Sequence, residues 1–290
     1  MPLPFRASHL KCERAVRHFE ELKALADSYT GRGPVTLVFE RIEPEERFSK
    51  YHPAGTQFVG LVARVREDVP ETLAAIAGDV VHNLRSALDI LICDLVRNAD
   101  PSFDLHDVCF PFSRNADDLE CALIRANVAR AGESAVDLIR AWEPYVGGSA
   151  GLYELHRLDI IDKHRSIIPT MTGVEFSLPR TLCDVPEDEQ FFDPFPDRKQ
   201  VWDGKIIVSG TADDSPPIGT QGRCSTRLAL DDEYLRGHDL VDTLQHQIEV
   251  VRGVLYSFAT GTKPTFVDAP SLEPVAVPAG AWIAVRDSGI

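Results

Sequence analysis

The sequence predicts an α+β fold, a helical bundle of four or more helices with an associated, mostly antiparallel sheet. Apolar residues recur at steps of three and four over five stretches, the spacing of amphipathic helices. Short runs rich in Val, Phe and Leu, bounded by proline, glycine and acidic residues, occupy about 35–66 and 166–230 and read as strands. Because strands stand both before and after the bundle helices, residues 1–261 read as one composite domain, followed by a proline-rich arm over 262–290.

Ser8 suits an N-cap, and Cys12, Ala15, Phe19, Leu22 and Ala26 then follow at helical spacing, giving a first helix over about 8–30. Pro34–Glu43 and Thr56–Arg66 are strand-like, joined by the polar segment Pro44–Gly55. Pro70 suits a first helical turn, and Leu73, Ala77, Val80, Leu84, Leu88, Leu91 and Leu95 form the stripe of a long helix over about 70–98. Two shorter helices fall within about 116–142, and another spans about 152–164. Short β-prone runs follow, and the ordered part closes on a helix over about 238–258 with Leu240, Leu244, Ile248, Val251, Leu255 and Phe258 on one face.

Several classes of function are excluded or narrowed. The chain has 290 residues and a formal net charge of −15, so it repels polyanions as a whole, and RNA could be engaged only through a local patch. A protein partner or homo-oligomer is the other expected association. No apolar run has the length of a membrane span, and the N-terminus lacks the apolar stretch of a signal peptide, so no membrane association and a cytoplasmic location are expected. The six cysteines are scattered without a Cys-x-x-Cys pair, which argues against a structural zinc and for reduced, buried thiols. No glycine-rich phosphate loop occurs. No cofactor and no metal are expected. His82, Asp89, His156, Asp159 and Asp162 are residue types a divalent ion accepts, yet they lack diagnostic spacing and are interleaved with Arg85 and Lys163.

Two polar helices carry the chemistry. His82, Arg85 and Asp89 stand at i, i+3 and i+7, and His156, Asp159 and Lys163 repeat that spacing. Each set forms one narrow stripe on its helix. If the helices pack side by side, Arg85 is expected to engage Asp159 and Lys163 to engage Asp89, leaving His82 and His156 as imidazoles beside the pairs. A second row on the later helix holds Arg157 and His164, with Tyr153 one turn earlier. Such a set can move protons and hold the charge of a phosphorane without a metal. It can equally be a buried ion-pair network that only fixes which helix faces which.

The segment Gly78-Asp79-Val80-Val81-His82-Asn83-Leu84-Arg85-Ser86-Ala87-Leu88-Asp89, with the later Asp162-Lys163-His164-Arg165, resembles a widespread set of bacterial proteins of unassigned activity. They share a Gly-Asp-x-x-His-Asn-Leu-Arg-Ser-Ala-Leu-Asp helix and an Asp-Lys-His-Arg motif. A looser likeness is to the HEPN superfamily, whose ribonuclease members place an Arg four to six residues before a His on one helix, a spacing that Arg157 and His164, seven apart, match loosely. Five residues after Arg85 the chain has Ile90 instead. The HEPN likeness implies a metal-independent endoribonuclease or phosphate-handling protein in defence or stress response, with catalytic residues among His82, Arg85, Asp89, His156, Arg157, Asp159, Lys163 and His164. The alternative is a non-enzymatic interaction or small-ligand-binding protein in which the polar helix pair is structural.

Overall fold

A computed structural model describes residues 5–43, 53, 55–148, 151–165, 167, 169–177, 203–204, 206–212, 215, 217–230, 235 and 238–264. Among these the helices are α1 (Arg6–Gly31), α2 (Thr72–Ala99), α3 (Leu119–Arg125), α4 (Glu133–Trp142), α5 (Leu152–Arg165) and α6 (Leu240–Thr260), with a short 3-10 turn at Val128–Ala131. The strands are β1 (Val35–Ile42), β2 (Phe58–Val65), β3 (Pro169–Ser177), β4 (Ile206–Thr211) and β5 (Gln221–Leu230). The class is α+β. No helix among the described residues is long and apolar enough to cross a membrane.

The chain divides into two compact units. The helical unit draws on residues up to Ala26, on Pro70–Pro169 and on the chain from Leu230. Its centre is α2, which packs against both α5 and α6. The expected stripe is its reason: Leu73, Ala77, Val80, Leu84, Leu88 and Leu91 are all fully buried. The opposing stripe of α6, from Leu240 through Leu244, Ile248, Val251 and Leu255, is buried as well. Asp239 caps α6, its carboxylate accepting from the amides of Val241 (2.9 Å) and Asp242 (3.0 Å), which satisfies amides that lack helical partners. Gly261 ends it at φ +72°, a conformation glycine adopts without strain.

The second unit is built around a five-stranded sheet in the order β3-β5-β1-β2-β4. The pairs β1 with β2, β1 with β5, and β2 with β4 are antiparallel. Val35 faces Val65 and Ile42 faces Phe58, so β1 and β2 pair along their whole lengths. Phe58 to Ala63 are buried without alternation, as expected of a strand covered on both faces.

The expected helix over 116–130 is shorter than its pattern suggests. Asn127 adopts a left-handed conformation (φ +55°), open to asparagine at small cost, and α3 stops before it. The acidic loops at 184–197 and 231–233, and the proline-rich arm from residue 265, lie outside the described residues.

Candidate functional site

The register of α5 sets the chemistry. Leu152, Leu155 and Leu158 are buried, and Asp159, seven residues after Leu152, falls on the same face. Residues seven apart on a helix are nearly in line, so a carboxylate occupies a leucine position. It is 3% exposed. On α2, Arg85 sits between Val81 and Leu88 on the apolar face and is 9% exposed, whereas the His82 side chain is 54% exposed.

The two helices meet at Gly78. A Cβ built there would stand 2.2 Å from Asp162 Oδ1 and 2.6 Å from its Cγ, so the absence of a side chain lets α5 lie against α2. Burial raises the pKa of Asp162, and the neighbouring Asp159 and Asp79 raise it further. Gly78→Ala is expected to destabilise the helical unit by about 1–2 kcal/mol, because overpacking outweighs the roughly 1 kcal/mol of helix propensity that alanine adds. In an Asp162→Ala background the same change should become stabilising. Urea titrations of the four proteins give the coupling, and additive effects would mean that Asp162 does not set the approach.

The ionisable rows do converge, with partners other than those expected. Arg85 pairs with Asp89 of its own helix, and Lys163 Nζ donates to Asp159 Oδ2 at 2.6 Å, also within one helix. The expected pairs Arg85 with Asp159 and Lys163 with Asp89 are not the ones formed. The reason is local: i,i+4 neighbours meet without either helix having to place the other. Between the helices His82 Nδ1 stands 3.5 Å from Asp159 Oδ1, a charge pair only when the imidazole is protonated. That oxygen is fully buried and receives no hydrogen bond among the described residues.

A second cluster surrounds Phe112. The Arg85 guanidinium lies 4.6 Å from the Phe112 ring centroid and donates to the Phe110 carbonyl at 3.3 Å. The Phe110 amide donates to Asp89 Oδ1 at 2.9 Å. Arg85 and Asp89 thus hold the chain at Phe110 from both sides of its peptide groups. The His156 ring stacks on Phe112 at 4.6 Å with 5° between planes, and Tyr153 meets His156 edge-on at 5.8 Å.

Burial pushes the His156 pKa down to about 4, and the positive charge of Arg85 acts the same way. The ring is neutral at pH 7. An unfolded imidazole titrates near 6.5, so below that pH the unfolded chain binds a proton that the folded one refuses until about pH 4. Stability contributed by the neutral ring is therefore present above pH 6.5 and is lost as the pH falls toward 4. Moving from pH 7 to pH 4.5 is expected to cost roughly 2–3 kcal/mol from this group. His156→Phe should remove that component, read as the difference between the two proteins' urea midpoints at each pH. Parallel pH profiles would discount the stacked imidazole.

Arg157 is partly buried, and His164 is exposed on the last turn of α5. Neither belongs to the His82, Asp159 and Lys163 contact set. Sequence reasoning missed Phe110, Phe112 and the buried Asn83, whose amide donates to the Asp79 carbonyl (2.8 Å) and whose Oδ1 accepts from Lys11 (3.3 Å). The signal for the first two was the apolar Cys-Phe-Pro-Phe run at 109–112 between polar stretches. No group of three or more His, Cys, Asp or Glu among the described residues is placed to hold a metal ion.

The chain matches no protein-family model, no curated protein and no solved structure. Fold and site together define an α+β protein with a histidine and a lysine facing one buried carboxylate at a helix seam.

Proposed function

We propose that the chain is a metal-independent, phosphoester-handling protein in which His82 is the acid/base group, Asp159 holds its ring, and Lys163 balances developing charge. One observation carries this: a buried carboxylate whose two oxygens face two exposed cationic or ionisable side chains, His82 and Lys163. His82 Nδ1 lies 3.5 Å from the unpartnered Asp159 Oδ1, so a small turn of the ring would bring an Nδ1–H donor onto that oxygen and leave the exposed Nε2 to accept a proton. On an RNA phosphodiester it would take the 2′-hydroxyl proton as the 2′-oxygen attacks phosphorus. The bond to the 5′-oxygen then breaks, and the same proton returns to that oxygen. Lys163 would offset charge on the pentacoordinate phosphate. The net charge of −15, with Asp79 and Asp162 close to His82, favours a short substrate over an extended polyanion.

The test is cleavage of a short RNA and of an aryl phosphodiester with a chelator present. His82→Ala should lose turnover while Arg157→Ala and His164→Ala retain it. Loss in the latter two alone would favour the HEPN-like pair instead. Absence of turnover in the wild type would remove the enzymatic function.

The second reading, a non-enzymatic protein whose polar helix pair is structural, is favoured by Arg85. A group 9% exposed and engaged with Asp89, Phe110 and Phe112 is spent on packing. The two readings divide the stripe between them, Arg85 and Asp89 as a clamp and His82, Asp159 and Lys163 as the reactive end.

A further inference from the structure

Cys12 and Cys224 are free and buried as expected, whereas Cys109 and Cys121 are exposed and Cys93 is half-buried, all three also free. Cys93, near the end of α2, directs its thiol at the Val108 carbonyl oxygen, 3.4 Å away. That oxygen sits on the peptide group that leads into Cys109, so by standard peptide dimensions the Cys93 sulfur lies within roughly 6 Å of the Cys109 Cα. Cys109 also bears on the ionisation of Cys93. Cys109 lies in irregular chain, so its backbone and side chain can adjust together to bring the two sulfurs into the geometry a disulfide requires.

We propose that Cys109 and Cys93 are a modification site, an attacking and a resolving thiol that form a reversible disulfide under hydroperoxide. With hydrogen peroxide, the Cys109 thiolate attacks one oxygen as the O–O bond breaks, giving the sulfenic acid and a hydroxide that takes up the proton the thiol had released, which makes one water. The Cys93 thiol then displaces hydroxide from that sulfur, and a second water is released as the S–S bond forms. The sulfurs together lose two electrons, which the peroxide takes up. Burial raises the Cys109 pKa, Asp89 raises it further, and the Arg85 guanidinium beside it opposes them only in part. The reaction is therefore slower than that of a dedicated peroxidase thiol, whose lowered pKa it lacks.

The test treats the intact chain with hydrogen peroxide in native buffer, followed by alkylation, intact mass and a non-reducing peptide map. A loss of two hydrogens, a Cys93 to Cys109 cross-link and reversal by dithiothreitol are expected. The oxidised protein should also show a higher urea midpoint, because the bond closes a loop across α2. Cys93→Ser should leave a dimedone-trappable sulfenic acid at Cys109, and Cys109→Ser should give neither product. Oxidation of wild-type Cys109 to sulfinic acid without a link, a link to another cysteine, or reaction at Cys121 in preference would each overturn the proposal. The wild-type map decides it even if a variant fails to fold.

Discussion

Arg85→Ala is expected to lower the stability of the helical unit by about 2–3 kcal/mol, below the range for a fully buried ion pair because the Asp89 side chain is 34% exposed. The guanidinium meets Asp89, the Phe110 carbonyl and the Phe112 ring together. Alanine leaves Asp89 without its counter-charge and the carbonyl without that donor, and it opens space beneath Phe112. Arg85→Lys should recover little, since a point charge on a flexible stem cannot serve three differently placed partners. Arg85→Met restores most of the packing and separates volume from charge. The double variant Arg85→Ala/Asp89→Ala should lose less than the sum of the singles, a coupling of more than about 1 kcal/mol. Urea unfolding followed by circular dichroism measures all of these, and a loss below about 1 kcal/mol for Arg85→Ala would mean that the clamp does not hold the Phe110 segment.

His82→Ala is expected to reduce phosphoester turnover by roughly 10²–10⁴-fold, the usual contribution of a positioned acid/base group. Its side chain is 54% exposed, so stability should stay within about 0.5 kcal/mol of wild type. That separation distinguishes a reacting group from a packing one. Asp159→Asn keeps the volume of the buried side chain and removes its charge, so the ring loses its anchor and turnover falls by a smaller factor. Because both residues act through one imidazole, His82→Ala/Asp159→Asn should be no slower than His82→Ala alone. Multiplying losses would place Asp159 in a separate role. Equal turnover in His82→Ala and wild type would move the chemistry elsewhere.

The apolar stripes of α1, α2 and α6 were legible because periodic burial is a property of the sequence itself. Cys12, Ala15, Phe19, Leu22 and Ala26 are buried as their spacing predicts. The meeting of α2 and α5 was legible for the same reason, since a helix apolar on several sides needs covering. Pairing across the seam was not. Spacing shows which residues share a face, but the competition between an i,i+4 partner and one on another helix turns on ångström-level position. Glu143 and Asn127 in left-handed conformations are similarly local choices that no periodicity encodes. Phe112 escaped notice because an irregular segment has no period, and its role appears only when Arg85 and His156 come to the ring from different helices.

The placement of Asp159 in a row of leucines has a kinetic consequence. Arg85 and Asp89 are neighbours on one helical turn and can associate as soon as α2 forms, within microseconds. His82 and Asp159 are separated by more than seventy residues and meet only after that intervening length has been closed into a loop. Until they do, Asp159 keeps only Lys163 of its own helix, so α5 should dock after α2 has formed, and a nascent chain stalled before that step would carry a finished clamp and an open reactive end.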